Sequence, residues 1–111
     1  MAHGLKVVGL GGSLRVGSHS RTALAVALEG AAAAGATVQL LDLRELGLPM
    51  YSPELEADVP PGVQAMIETS YEADGMLWSS PMYNGSVSGA FKNAIDWLHM
   101  LGSREPPYLH D

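Results

Sequence analysis

The sequence predicts an α/β protein of three layers, with helices on both faces of a doubly wound parallel sheet in the strand order 2-1-3. Three observations predict it. Short, nearly continuous apolar runs at residues 5–10, 37–43 and 75–80 read as strands buried on both faces. Segments with helical periodicity separate them, so each strand is reached by a crossover. Glycine, serine and proline cluster where the first and third runs end, at Gly11-Gly12-Ser13 and Pro81-Met82-Tyr83-Asn84-Gly85.

The elements follow in order. After the first strand, Leu24, Ala27, Leu28 and Ala31 recur at helical spacing from Ser20 onward, and Gly35 supplies the left-handed residue that ends such a helix. The strand at 37–43 completes a βαβ unit. A long connection, 47–59, carries Pro49, Pro53 and the acidic Glu54, Glu56 and Asp58, read as a solvated loop. Asp58 is expected to cap a helix with Pro60 and Pro61 in its first turn, where missing amide hydrogens cost little. Val63, Met66, Ile67, Ser70 and Tyr71 give that helix its buried face. The third strand contains Trp78, expected in the core. The last helix spans 88–101 with two adjacent apolar stripes, Phe91-Ile95-Leu98 and Ala90-Ala94-Trp97-Leu101. Beside them Lys92, Asp96 and His99 form a polar strip, read as an i, i+4 ion pair at a surface or across a dimer interface.

Composition narrows the function. A chain of 111 residues with 47% hydrophobic and 16% charged residues suits one globular domain. The net charge of -6, from 12 acidic and 6 basic residues, argues against nucleic acid or an anionic membrane as partner. The absence of cysteine excludes disulfides, thiolate catalysis and cysteine-ligated zinc. His3, His19, His99 and His110 lack ligand spacing, so no metal site is expected. The longest apolar run, 22–34, is alanine-rich, interrupted and too short to span a bilayer. The N-terminus runs straight into a strand, and the expectation is a cytoplasmic protein.

In a sheet of this order, ligands bind beyond the carboxyl ends of the strands, between the loops after the first and third. The first loop, Gly11 to Thr22, places glycines, the hydroxyls of Ser13, Ser18, Ser20 and Thr22, and the guanidinium groups of Arg15 and Arg21 at a helix N-terminus. Backbone amides, the helix dipole, hydroxyls and arginine forks are what a phosphate monoester needs. The lysine of the mononucleotide loop is absent, and Leu14 stands where the dinucleotide fingerprint needs its glycine. A strand-to-helix turn with solvent-facing caps is the alternative for this loop alone. The second loop offers Tyr83 and Met82 as planar and polarisable surfaces, and Asn84 with nearby amides for a heterocycle edge. Taken alone, Asn84-Gly85 is also an ordinary turn pair. Together the loops describe a site for a mononucleotide with a large ring.

Gly12-Ser13-Leu14-Arg15 with Ser18 and Ser20, then Pro81-Met82-Tyr83-Asn84-Gly85-Ser86, then Gly89-Ala90-Phe91-Lys92-Asn93-Ala94-Ile95-Asp96-Trp97 resemble the NADPH-dependent FMN reductase family of the flavodoxin-like superfold. The resemblance runs over essentially the whole chain. It implies FMN as bound cofactor and NADPH or NADH as electron donor, with electrons passed to a flavin, quinone or similar small acceptor. It assigns Ser13, Arg15, Ser18, Ser20, Arg21 and Thr22 to the FMN phosphate, and Pro81, Met82, Tyr83, Asn84, Gly85 and Ser86 to the isoalloxazine ring. Many relatives carry asparagine where this chain has Ser20. No catalytic side chain is implied, because the cofactor carries the chemistry and the protein supplies orientation. Family members pair the 88–101 helix between subunits, which implies a homodimer or homotetramer. Family members are also longer. The sheet is expected to be truncated before its fourth strand, residues 102–111 leading toward it, so that the chain is the N-terminal part of a longer protein with a bare edge on its third strand. Two other readings remain: a flavodoxin-type electron carrier, and a flavin-free interaction module.

Overall fold

The computed structural model describes residues 4–104. Its central sheet has the expected order, with β1 (Lys6–Gly11) between β2 (Thr37–Asp42) and β3 (Gly75–Ser79), all parallel. Register pairs Leu10 with Leu41 on one side and with Trp78 on the other. Alternation along β1 divides the layers. Gly9 faces α1 (His19–Ala33), so closely that a Cβ there would lie 2.8 Å from Leu28 and 2.9 Å from Leu24. Val8 and Leu10 face the opposite way, into a core with Val63, Met66 and Ile67 of α3 (Pro61–Glu72) and Phe91, Ala94, Trp97 and Leu98 of α4 (Gly89–Leu98). Helices therefore cover both faces, and the connections from β1 and β3 leave toward opposite sides.

Local chemistry sets the helix ends. Ser18 caps α1, its hydroxyl accepting from the Arg21 amide at 3.2 Å. Gly35, at φ +105°, ends α1, and the Ala36 amide returns to the Ala31 carbonyl at 3.1 Å. Ser88 caps α4 by accepting from the Phe91 amide at 3.1 Å.

Several boundaries differ from expectation. The second strand stops at Asp42, whose carboxylate accepts from the Arg44 amide at 3.0 Å and so starts a short helix, α2 (Leu43–Leu46). The 47–59 connection contains a 3-10 turn, Pro53–Ala57. Asp58 closes that turn through its amide to the Leu55 carbonyl at 3.2 Å, and Pro60, with extended backbone, stands at the N-cap of α3 instead. The last helix is α-helical only to Leu98 and continues as a 3-10 turn, His99–Ser103. The loop after β3 is not irregular: it folds into an antiparallel hairpin of β4 (Met82–Tyr83) and β5 (Ser86–Val87).

One burial expectation is corrected. Trp78 is 44% exposed, because among the described residues β3 pairs only with β1 and the indole meets Phe91 edge-to-face at 5.7 Å. Both apolar stripes of α4 lie largely inside the chain: Phe91 and Leu98 from one, and Ala94, Trp97 and Leu101 from the other, are buried. One wide stripe packs on the sheet and on the 48–51 segment, leaving Ala90 and Ile95 only partly covered. Of the expected connection at 102–111, residues 105–111 lie outside the described residues, as do His3 and His110. No described helix is long and apolar enough to cross a membrane.

Candidate functional site

The two loops begin in contact. Gly12 donates its amide to the Ser79 carbonyl at 3.1 Å, and Ser79 donates its hydroxyl to the Ser20 carbonyl at 2.8 Å. The backbones approach so closely that a Cβ on Gly11 would stand 2.1 Å from the Ser79 oxygen. Gly12 follows with φ +91°, a conformation that L side chains rarely adopt, and turns the chain over the end of the sheet. The strand ends thus bring both sequence-predicted loops to one end of the molecule, at the position where the sheet's connections diverge.

The first loop is a web of hydroxyls. Ser13 and Ser18 are buried to 6% exposure each. The Ser13 oxygen accepts from the Arg15 amide at 3.2 Å, and Ser18 and Ser20 share a hydrogen bond at 2.9 Å. Thr22 donates its hydroxyl to the Ser18 carbonyl at 3.2 Å, which points it back into the helix. The two arginines divide their roles. Arg21 donates Nε to the buried Asp42 carboxylate at 2.8 Å and ties α1 to the end of β2. Arg15 is exposed and has no carboxylate partner among the described residues. Among the described residues its guanidinium is the loop's positive charge without an acidic partner. With the helix dipole of α1 and its first amides behind it, the donor set suits a phosphate monoester.

The second loop holds its shape by its turn. Asn84 and Gly85 both have positive φ, +54° and +79°, the type I′ geometry that matches the twist of a two-residue hairpin. Ser80 fastens the ends: its oxygen accepts from the Ser88 amide at 2.9 Å and its hydroxyl donates to the Pro81 carbonyl at 2.8 Å. Met82 and Tyr83 remain 76% and 50% exposed. A shallow cavity of about 360 Å³ lies against Pro81, Met82, Gly85, Ser86 and Val87. Asn84 lies at the tip of the turn.

Sequence reasoning missed a network outside these loops. Asn93 donates Nδ2 to the Pro49 carbonyl at 2.9 Å and accepts the Tyr51 amide at 2.7 Å, while Trp97 donates Nε1 to the same Pro49 carbonyl at 3.0 Å. An asparagine between buried positions of an apolar helix face was the available signal. Tyr51 donates its hydroxyl to Glu56, and His99 lies 2.8 Å from the same carboxylate and 3.0 Å from the Tyr51 oxygen. Glu56 is therefore anchored, not part of a solvated acidic loop. The bond to Glu56 pushes the Tyr51 phenol up to about 12, and donation from Tyr51, then His99, holds the Glu56 carboxyl below the usual range. The expected Lys92–Asp96 pair is present on the exposed side of α4 at 2.5 Å. No metal-binding group of acidic, histidine or cysteine side chains occurs among the described residues.

Known proteins bear on this geometry. The sequence is 40% identical over 98 residues to an NAD(P)H-dependent FMN reductase of Pseudomonas aeruginosa, covering 87% of this chain and 51% of that one. It is 39% identical over 104 residues to a quinone reductase of Escherichia coli, covering 91% of this chain and 54% of that one. The fold matches a flavoenzyme NAD(P)H:(acceptor) oxidoreductase from Paracoccus denitrificans with a TM-score of 0.71 at 30% identity, over 94% of this chain and 54% of that one. The chain spans about half the length of the curated relatives it matches. The family model described as NADPH-dependent FMN reductase matches residues 5–110, and the chain belongs to that family.

Proposed function

We propose that this chain forms the FMN-binding part of an NAD(P)H oxidoreductase, which passes electrons from NADPH or NADH through FMN to a flavin, quinone or similar small acceptor. The observation that carries the reading is the contact between the loop beginnings, Gly12 to Ser79 and Ser79 to Ser20, which sets a phosphate cradle beside an apolar platform. When bound, FMN supplies the hydride-accepting and electron-passing chemistry. Ser13, Arg15, Ser18 and Ser20 hold the phosphate, with Arg15 as the charged partner, while Thr22, whose hydroxyl hydrogen goes to the Ser18 carbonyl, braces the loop from the helix. Arg21 contributes only through the guanidinium hydrogens that Asp42 leaves open. Pro81, Met82, Tyr83, Asn84, Gly85 and Ser86 line the ring. No side chain acts as acid or base; orientation of two stacked rings is the catalytic contribution of the protein.

The assembly proposed is a cytoplasmic homodimer or homotetramer through the 88–101 helix. Ile95, Asp96 and His99 line a depression on the outer side of that helix, together with Tyr51, and offer the contact.

The test is a fluorescence titration of the purified protein with FMN, followed by anaerobic mixing with NADPH and with NADH. Quenching of flavin fluorescence and then bleaching of the yellow band are expected. A protein that binds FMN and leaves it yellow with both donors is an electron carrier. One that leaves FMN fluorescence unchanged is a flavin-free module.

A further inference from the structure

At the end of β2, Asp42 lies against the turn that opens the first loop. A Cβ built on Gly12 would stand 3.3 Å from an Asp42 oxygen and 3.3 Å from the Arg21 Cβ. Asp42 is 7% exposed, and both of its oxygens are occupied: one accepts the Arg21 Nε hydrogen at 2.8 Å and the other the Arg44 amide at 3.0 Å. Arg21 is the third residue of α1, where the helix dipole disfavours a cation. A helical side chain leans toward its own N-terminus, here toward the loop, so an unrestrained arginine would sample many rotamers there. Asp42 removes that freedom. A guanidinium is planar, and a bond at Nε sets the direction of its plane. Among the described residues no other bond to the Arg21 guanidinium occurs, and the side chain stays 46% exposed. Its terminal nitrogens therefore keep their hydrogens for a ligand. Arg15, with no carboxylate partner among the described residues, adds charge to the loop, whereas Arg21 with Asp42 is a neutral pair that adds direction.

We propose that Asp42 is a positioning residue for the phosphate of the flavin nucleotide, acting through Arg21, whose terminal N–H groups it aims into the first loop. The inference rests on the function proposed above and adds a residue that does not touch the ligand. Two effects oppose each other. Neutralising Arg21 weakens the pull of the loop on an anion, whereas holding it spares the ligand the cost of ordering a long side chain. A single exposed charge is screened by water and salt and returns little, so ordering wins. Removing the acid therefore weakens phosphate binding, although it makes the cradle more positive.

The experiment compares FMN with riboflavin, which lacks the phosphate, by fluorescence titration of the parent protein and of Asp42→Asn. The asparagine oxygen can still accept the Arg44 amide, but its Nδ2 hydrogens meet the Arg21 Nε–H, donor against donor. FMN affinity is expected to fall about tenfold while riboflavin affinity stays unchanged. In an Arg21→Met background the same change should no longer lower FMN affinity, because the group it acts through is gone. An FMN affinity that is unchanged or raised in Asp42→Asn overturns the proposal. So does an equal loss for both flavins, which is what a merely structural role gives. If Asp42→Asn does not fold, Arg21→Lys decides, since it keeps the charge and loses the fork: a reduced preference for FMN over riboflavin supports the proposal, and a parent-like preference overturns it. A parent protein that binds neither flavin rejects the function proposed above. The positioning role is then read from the Gly12 and Ser13 amide resonances against inorganic phosphate. Half-saturation at higher phosphate in Asp42→Asn supports it; unchanged half-saturation, or no shift in the parent, overturns it.

Discussion

The loop after β1 is held together by hydroxyl groups, whereas the loop after β3 is held by the dihedral angles of two residues. In the first, Ser13, Ser18, Ser20 and Thr22 bond to one another and to nearby backbone, so buried polar atoms are satisfied before any ligand arrives. In the second, Asn84 and Gly85 set a tight turn while Met82, Tyr83 and Val87 stay in water. One loop is a fixed polar cradle and the other an exposed apolar surface. The difference matches what each is proposed to hold: a dianion needs donors already aimed, since reorienting them costs binding energy. A ring needs flat area, and any conformation that presents area will do.

The comparison can be broken at its shared root. Gly11→Ala sets a methyl against the Ser79 carbonyl at a 2.1 Å approach, which no rotamer relieves. We expect a loss of about 3 kcal/mol or failure to fold, read by denaturant melting. Arg15→Ala tests the cradle alone: FMN affinity should weaken by about 10- to 100-fold with the melting curve unchanged, since the side chain has no partner within the described fold. On the opposite loop, Tyr83→Ala should weaken FMN by a smaller factor, about 2- to 10-fold, and leave affinity for inorganic phosphate unaltered. Equal effects of the two substitutions on phosphate binding would erase the division of labour between the loops.

The smallest expected effect concerns the Tyr51–Glu56–His99 network, which belongs to neither loop. The Tyr51 pKa is raised in the folded state, so its contribution is complete below the ordinary phenol value, near 10, and is lost as pH rises toward about 12. Ultraviolet titration should show one tyrosine ionising late, and Tyr51→Phe should remove that late step. Glu56 runs the other way. Its pKa is depressed, so the stabilisation is present above the ordinary carboxyl range and declines as pH falls through the lowered value. Thermal melts of Glu56→Gln should therefore show a weaker dependence on pH at the acid end than the parent protein.

The order of strands, the two crossovers and both loops were legible in the sequence, because apolar periodicity and glycine placement are local signals. Ser18 and Ser88 emerged as the helix caps only in the structure, although a serine before an amphipathic run is a common cap. The hairpin at 82–87 was less visible: its strands are two residues each, too short for alternation to register, although Asn84-Gly85 marks its turn. Asp58 was misassigned because an acidic residue before prolines resembles a cap. Pro60 occupies that place, being extended and two residues nearer the helix.

By itself, then, the sequence determined which segments become strands and helices, and which loops carry donors or aromatic area. Three-dimensional packing alone decided that Arg21 belongs to Asp42 while Arg15 has no carboxylate partner among the described residues, that Glu56 is anchored by Tyr51 and His99, and that Leu14 and Met50 line one groove. The physical reason is range. Helix and turn preferences act over a few residues, but the partner of a charge or an exposed methyl group depends on atoms brought near by folding from 21 to 43 positions away, as for Arg21 with Asp42 and His99 with Glu56.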